Sequence, residues 1–427
     1  MAEPNIIRDL IVDTLRKIVG DTGQTLYESV CETYSIAPEN PKSGDIPKLG
    51  KGLVEVLKPY GEDRIKIFLK TMRQIQMILD EEKVKPEIVE EILLYIGDMF
   101  LVIGDFNEAL ANYFEAANIA TNTGNKVILA RAVRRVGDVY GARGDYLAAI
   151  AKYEEAKGLS EAIGDTDGVV EAIREIAEIE WKQSKFKQAK ERIKSAVELA
   201  EKTKNPAIKS KIFLTFSRIY LYQGEINVSL QYLQNALKLS KELRDPFEIC
   251  RIYNTFGVFY YTLEDYAKAA EYFRETVNLG KSMGDILIYT YGLINLGSCY
   301  INLSKVDEAQ KMLDEAMKLV SKLDNKYALG ILYSIFGKLH AAKRNWELAK
   351  QNFSNAITVL QELGLEFNLG WTYVYIAEMH NAKGELGIAV TYLEKARGIF
   401  ERLNNTYLAE RFGNKAKNIA KSQSEKI

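Results

Sequence analysis

The chain has 427 residues, 47% of them hydrophobic and 27% charged, with 57 Lys and Arg against 58 Asp and Glu for a formal charge of -1. A balance this near zero leaves no electrostatic footprint for nucleic acid or an anionic membrane, so neither is an expected partner. The composition, with only 8 prolines, is that of a folded, helix-tolerant chain, and the absence of a leader pattern or a long apolar run points to a soluble, cytoplasmic protein.

Residues 1–85 read as an N-terminal module of four helices. Ile6, Ile7, Leu10, Ile11, Leu15 and Ile18 form one broad stripe over about residues 5–20, and a second helix is expected over 23–35. Ala37-Pro38-Glu39-Asn40-Pro41-Lys42-Ser43-Gly44-Asp45 has the composition of a loop. Asp45 is placed to cap a third helix over about 46–59, with Pro47 in the first turn, where its missing N–H costs nothing. Tyr60-Gly61-Glu62-Asp63 breaks that helix, and a fourth runs to about Glu82. The layout Leu26-Tyr27-Glu28, Gly44-Asp45-Ile46-Pro47 and Leu57-x-x-Tyr60-Gly61 resembles the small helical output domains of archaeal signalling proteins. That resemblance implies an archaeal signalling or assembly context and no catalytic residue.

From about residue 86 one pattern returns every 40 residues, through to about 405. Gly104, Gly144, Ser184, Gly224, Glu264, Ser304, Arg344 and Gly384 mark equivalent turns. Two residues later comes Phe106, Tyr146, Phe186, Ile226, Tyr266, Val306, Trp346 or Leu386; further on, small, large and small residues follow at spacings of 4 and 3. Ala149, Tyr153 and Ala156 are one such set, and those spacings share one face of a helix. A preceding helix is marked by Gly97, Gly137, Ala177, Ser217, Gly257, Gly297, Gly337 and Ala377, with Phe100, Tyr140, Glu180, Tyr220, Tyr260, Tyr300, His340 or His380 three residues on. Between units stand Asn125, Asp165, Asn205, Asp245, Asp285, Asn325 and Asn405, residues suited to capping the next helix, with Leu365 the exception.

The pattern small-x-x-Tyr, then Gly-Asp-Tyr-x-x-Ala-x-x-x-aromatic-x-x-Ala, resembles the tetratricopeptide repeat. The resemblance implies an all-α, right-handed superhelical solenoid of eight helix pairs over 86–405. Residues 406–421 are expected to form a C-terminal capping helix, because Lys417 stands where the next unit would need a small residue. Glu180 in place of an aromatic predicts poorer packing in the third unit.

No catalytic constellation can be assembled. The only two histidines, His340 and His380, occupy aromatic slots in successive units, and equivalent helices about 10 Å apart would not share a metal. No phosphate loop, nucleophile elbow or His-Glu-x-x-His pair is present. The three cysteines, Cys31, Cys250 and Cys299, lack metal or redox spacing and read as small buried hydrophobes. The expectation is a non-catalytic scaffold or adaptor that needs no cofactor, metal or small-molecule substrate and binds a protein or peptide. The alternative is a signalling regulator that senses a peptide through the repeats, with the N-terminal module as effector.

By the same resemblance, residues six and three before each small position and one and four after it line a concave groove. The stripe is charged in the first units and more apolar and aromatic later. Its expected contacts are Arg131, Arg134, Arg174, Trp181, Arg218, Leu221, Asn254, Tyr261, Tyr291, Ile294, Trp371 and Val374. Tyr and Trp suit a groove because they bury much area at low entropy cost.

Overall fold

A computed structural model describes residues 4–39, 41–58, 62–81, 85–201, 203 and 205–424, and these are helical with no strand among them. The first helices are α1 (Pro4–Val19), α2 (Thr22–Thr33), α3 (Ile46–Leu57) and α4 (Glu62–Glu81). Their shared core includes Ile11, Leu15, Leu53, Phe68 and Met72, all fully buried. Ile6 departs from its expected place on the stripe and is 49% exposed. Asp45 also departs from expectation. It lies in a 3-10 turn over Ser43–Asp45, where its carboxylate accepts from the Lys42 N–H at 2.9 Å, and it makes no capping bond to α3. The expected break at Tyr60-Gly61 lies outside the described residues.

Helices then alternate around tight turns: α5 (Pro86–Val102) and α6 (Phe106–Thr123), α7 (Lys126–Arg143) and α8 (Tyr146–Ala162), α9 (Thr166–Lys182) and α10 (Phe186–Ala200). They continue as α11 (Pro206–Tyr222) and α12 (Ile226–Glu242), α13 (Pro246–Thr262) and α14 (Tyr266–Met283), α15 (Ile286–Asn302) and α16 (Val306–Leu323). Last come α17 (Lys326–Ala342) and α18 (Trp346–Glu362), α19 (Glu366–Ala382) and α20 (Leu386–Arg402), and α21 (Thr406–Ser424), on which Lys417 is exposed.

Each within-pair turn has the same cause. Its marker residue, glycine or not, takes a left-handed conformation with φ from 60 to 88°. The N–H of the next residue then reaches back to a carbonyl of the last helical turn, as Asp105 to Phe100 (2.8 Å) and Lys185 to Glu180 (2.8 Å). Between pairs the side chains of Asn125, Asp165, Asn205, Asp245, Asn325 and Asn405 accept from the first-turn N–H groups of the helix that follows.

Packing inside a pair is set by size. A Cβ at Gly97 would stand 2.5 Å from the Tyr113 ring, at Gly137 2.6 Å from Tyr153, at Gly257 2.4 Å from Phe273, and at Gly337 2.5 Å from Phe353. Where the facing residue is aliphatic, as Ile193, Leu233 or Leu393, the small position holds Ala177, Ser217 or Ala377. A ring on one helix thus demands glycine on the other, and a branched chain leaves room for one more carbon or oxygen in those three pairs; Gly297, whose added Cβ would stand 2.8 Å from Leu313, is the exception.

The third unit is repaired where poorer packing was expected. Glu180 is 7% exposed and takes three hydrogen bonds of 2.9–3.1 Å from Arg192. The same two positions hold parallel rings elsewhere: Tyr220 and Tyr232 at 5.6 Å, Tyr260 and Tyr272 at 5.5 Å, His380 and Tyr392 at 5.8 Å. A bidentate ion pair replaces the ring stack.

The chain falls into two compact units. The first comprises Met1–Tyr140, Leu147–Val169 and Gly280–Leu287; the second comprises Gly141–Tyr146, Val170–Leu279 and Ile288–Ile427.

Candidate binding surface

In the first unit the expected inner stripe is a run of compensated charges. Arg131, itself exposed, pairs with Glu91. Arg135 reaches Asp98 and Asp138 at 3.0 Å each, and these carboxylates also accept from the hydroxyls of Tyr113 (2.8 Å) and Tyr153 (2.9 Å). Asp98 and Asp138 hold the Arg135 guanidinium firmly charged against its burial. Arg134 is half-buried and has no carboxylate within ion-pair distance among the described residues.

Within the second unit, charge pairs again span an offset of 40 residues. Lys211 reaches Glu171 at 2.6 Å, and Arg218 reaches Glu178 at 2.9 Å. Arg174 is buried between Glu171 (2.9 Å) and Glu175. Burial alone would raise the Glu178 carboxyl, but Arg218, Arg174 and the Thr215 hydroxyl outweigh it and hold the group below its ordinary value. Trp181 is 8% exposed, with its ring edge-on to Tyr222 at 5.1 Å and the Arg218 guanidinium 5.5 Å above it.

Farther along, the stripe converges on one hydroxyl. Tyr261 Oη lies 2.9 Å from Ser298 Oγ and 3.1 Å from Tyr375 Oη, and it accepts from Asn302 Nδ2 (3.2 Å) and Lys338 Nζ (3.0 Å). Lys338 is 8% exposed, also donates to Asn302 Oδ1 at 2.7 Å, and stands 4.6 Å over the Tyr375 ring. Half-buried Trp371 lies edge-on to Tyr261 (6.0 Å), Phe400 (6.3 Å) and Phe412 (5.5 Å). Asn254 is half-buried and accepts from Asn295 at 3.0 Å, and Tyr291 meets Tyr327 edge-on at 5.9 Å.

The twelve expected contact residues therefore divide. Leu221, Ile294, Val374, Arg174 and Trp181 are buried and closed to a partner in this structure. Arg131 is exposed, and Arg134, Arg218, Asn254, Tyr261, Tyr291 and Trp371 keep partial exposure. Ser298, one residue after Gly297, occupies an expected lining position, whereas Tyr375 and Asn302 do not. Their positions on the repeat carry no recurring residue type, so nothing marks those two before the helices are packed.

Contacts between distant repeats of the second unit were also invisible to the 40-residue pattern. The Phe367 N–H donates to Ser184 Oγ at 3.0 Å, and Asn405 Nδ2 donates to the Tyr222 carbonyl at 2.9 Å, each across 183 residues. At the same offset a Cβ on Gly144 would meet the Tyr327 nitrogen at 3.7 Å. Arg411 donates to the Thr262 carbonyl at 2.9 Å and pairs with Glu264. An offset of 183 is not a multiple of 40, so it leaves no periodic trace.

Among the described residues no group of three or more His, Cys, Asp or Glu could hold a metal, and no helix is long and apolar enough to cross a membrane. His340 and His380 sit in aromatic slots, stacked on Phe336 and Tyr392, and all three cysteines are buried.

The family profile described as tetratricopeptide repeat matches residues 251–279 and 291–319. No curated protein matches the sequence. Among solved structures the chain is similar to a Rap protein complexed with competence and sporulation factor, at 15% identity and TM-score 0.53, over 90% of this chain and 100% of that one. It is also similar to a signal transduction ATPase with numerous domains and a tetratricopeptide repeat sensor from Pyrococcus horikoshii, at 15% identity and TM-score 0.44, over 98% and 65% of the two chains. A human IFIT1 dimer with PPP-AAAA is similar at 12% identity and TM-score 0.49, over 98% and 96%. The recurring turn, the ring-to-glycine packing, the family match within the fifth and sixth units and the shared all-helical fold lead to one conclusion: this chain carries tetratricopeptide-type repeats in an all-helical repeat fold.

Proposed function

We propose that the protein is a non-catalytic scaffold or adaptor that holds a peptide or helical segment of a partner protein along its inner stripe. The observation that carries this reading is the convergence on Tyr261. Side chains from the helices α13, α15, α17 and α19 meet at one hydroxyl, next to the ring of Trp371. A segment lying across successive repeats meets such a set in turn, and Tyr, Trp and Arg are the residue types that dominate interface energetics. In the first unit Arg134, a cation with no carboxylate within ion-pair distance among the described residues, favours an acidic residue on the partner. The Rap structure, complexed with competence and sporulation factor, supports a binding role by fold alone.

The test is affinity capture with the full chain, followed by calorimetry of the purified partner. Arg134→Glu should weaken binding about tenfold or more, whereas Lys318→Glu on α16, an exposed outer-helix residue, should leave it unchanged. Equal affinity for the parent protein and Arg134→Glu, with loss in Lys318→Glu, would move the partner to the outer face.

A further inference from the structure

Leu365 is the one break in the ladder of Asn and Asp caps, and the structure supplies its replacement from far away. Leu365 is buried and has no capping side chain, so the first amides of α19 lack a local acceptor. The Ser184 hydroxyl, at the tip of the turn between α9 and α10, accepts from the Phe367 N–H instead. The next turn tip repeats the arrangement. Asn405 uses its Oδ1 to cap α21 through the Leu408 N–H at 2.9 Å, which leaves its Nδ2 to donate to the Tyr222 carbonyl. A third turn tip receives Arg411, on the Thr262 carbonyl and on Glu264. Three successive turn tips are thus gripped by the starts of α19 and α21, all within the second unit. The Phe367 ring adds an apolar contact against Tyr222 at 4.0 Å.

These contacts differ in kind from those inside a helix pair. A pair is joined along its whole length by interdigitated side chains, whereas the tips are joined by hydrogen bonds, one ion pair and the Phe367 ring, which meets both Tyr222 and Phe186. The grip also holds the inner stripe against itself. Tyr261 of α13 is bonded to Tyr375 of α19 and lies beside Trp371 of α19, so surfaces that a partner would use are spent on each other. We infer that the grip of Ser184, Tyr222 and Thr262 on Phe367, Asn405 and Arg411 is an autoinhibitory latch, which must part before a partner segment can reach the inner stripe. The inference rests on the reading of that stripe as the binding surface. By linkage, whatever loosens the latch raises the fraction of binding-competent molecules.

The experiment needs no partner, so its outcome stands apart from that of the binding reading. In the full chain, Ser184→Gly, Asn405→Asp and Arg411→Ala are combined. Glycine suits the left-handed turn at φ 61°, and Asp keeps the cap on α21 while losing the donated N–H. Spin labels on cysteines placed at the exposed positions Lys185 and Glu410 report the separation, with the three native cysteines buried. Anilinonaphthalene sulfonate fluorescence reports exposure of the aromatic stripe. The parent protein should give one narrow distance population and little dye binding. The triple variant, with unchanged helicity, should add a longer population and bind dye severalfold more strongly. An unchanged distance distribution, or a longer one without added dye binding, overturns the latch. The binding reading fails separately, if Arg134→Glu does not weaken the captured partner.

Discussion

Gly257→Ala adds one methyl where the Phe273 ring already stands, and its cost can be worked from the geometry. The new Cβ would lie 2.4, 2.5 and 2.7 Å from three ring carbons. Non-bonded carbons settle about 3.5–4.0 Å apart, so ring or helix must move by roughly 1 Å. Phe273 is 1% exposed and cannot swing into water. Overpacking of this kind costs roughly 1–3 kcal/mol, while alanine in place of glycine regains about 0.8–1.0 kcal/mol of helix propensity. The net expectation is a loss of up to ~2 kcal/mol. Phe273→Leu alone opens a void, at a cost of roughly 1–2 kcal/mol. Together the two changes reproduce the pairing already present at Ala377 and Leu393, so the double variant should be more stable than the sum of the single losses predicts, by at least ~1 kcal/mol. Long repeat arrays need not unfold in one step, so the assay is native-state hydrogen exchange read on α13 and α14, alongside urea denaturation. Strictly additive losses would refute the size-matching argument.

Three other outcomes follow from single residues. Ser304→Gly relieves a left-handed residue at φ 60° and should raise stability by about 0.5–1 kcal/mol; a lower melting temperature would contradict the turn geometry. Arg192→Ala strands the buried Glu180 carboxylate and should cost roughly 1–3 kcal/mol in chemical denaturation, where an effect near zero would mean that the ion pair contributes nothing. Burial raises the Glu248 carboxyl above its ordinary value, against the pull of Arg251 and Arg174. The folded state therefore holds a proton that the unfolded state releases, and the cost of ionising is present above the raised value and relieved below it. Glu248→Gln should be more stable than the parent at pH 7, with the gap closing as the pH falls; a gap that widens in acid would contradict this.

Much of the helical layout was legible because turns and tight helix contacts demand particular residues. The helices expected over 5–20, 23–35 and 46–59 occur at Pro4–Val19, Thr22–Thr33 and Ile46–Leu57. The turn markers were recoverable even at Glu264 and Arg344, since their neighbours kept the register while the backbone took glycine's conformation. Other features depend on partners that spacing does not name. Asp45 looked like a helix cap because Pro47 follows, but its carboxylate closes the 3-10 turn before α3. The missing aromatic at Glu180 was visible, while its answer at Arg192 was not. The residue two after each turn does not fix its own burial: Trp346 is half-buried, as are Ile226, Tyr266, Val306 and Leu386, whereas Phe106, Tyr146 and Phe186 are buried. The 40-residue spacing names positions for the inner stripe. It does not name the contacts of Phe367, Asn405 and Arg411 with distant turns, because these follow offsets unrelated to the repeat.

The most direct test of the binding account is photo-crosslinking from within the stripe. A benzophenone amino acid at Asn254, half-buried on the inner stripe, is compared with the same group at Lys318 on the outer helix α16, both in the full chain. The account predicts a discrete partner adduct from position 254, competed by the unlabelled parent protein, and none from 318. Adducts that form at 318 and not at 254 would contradict it.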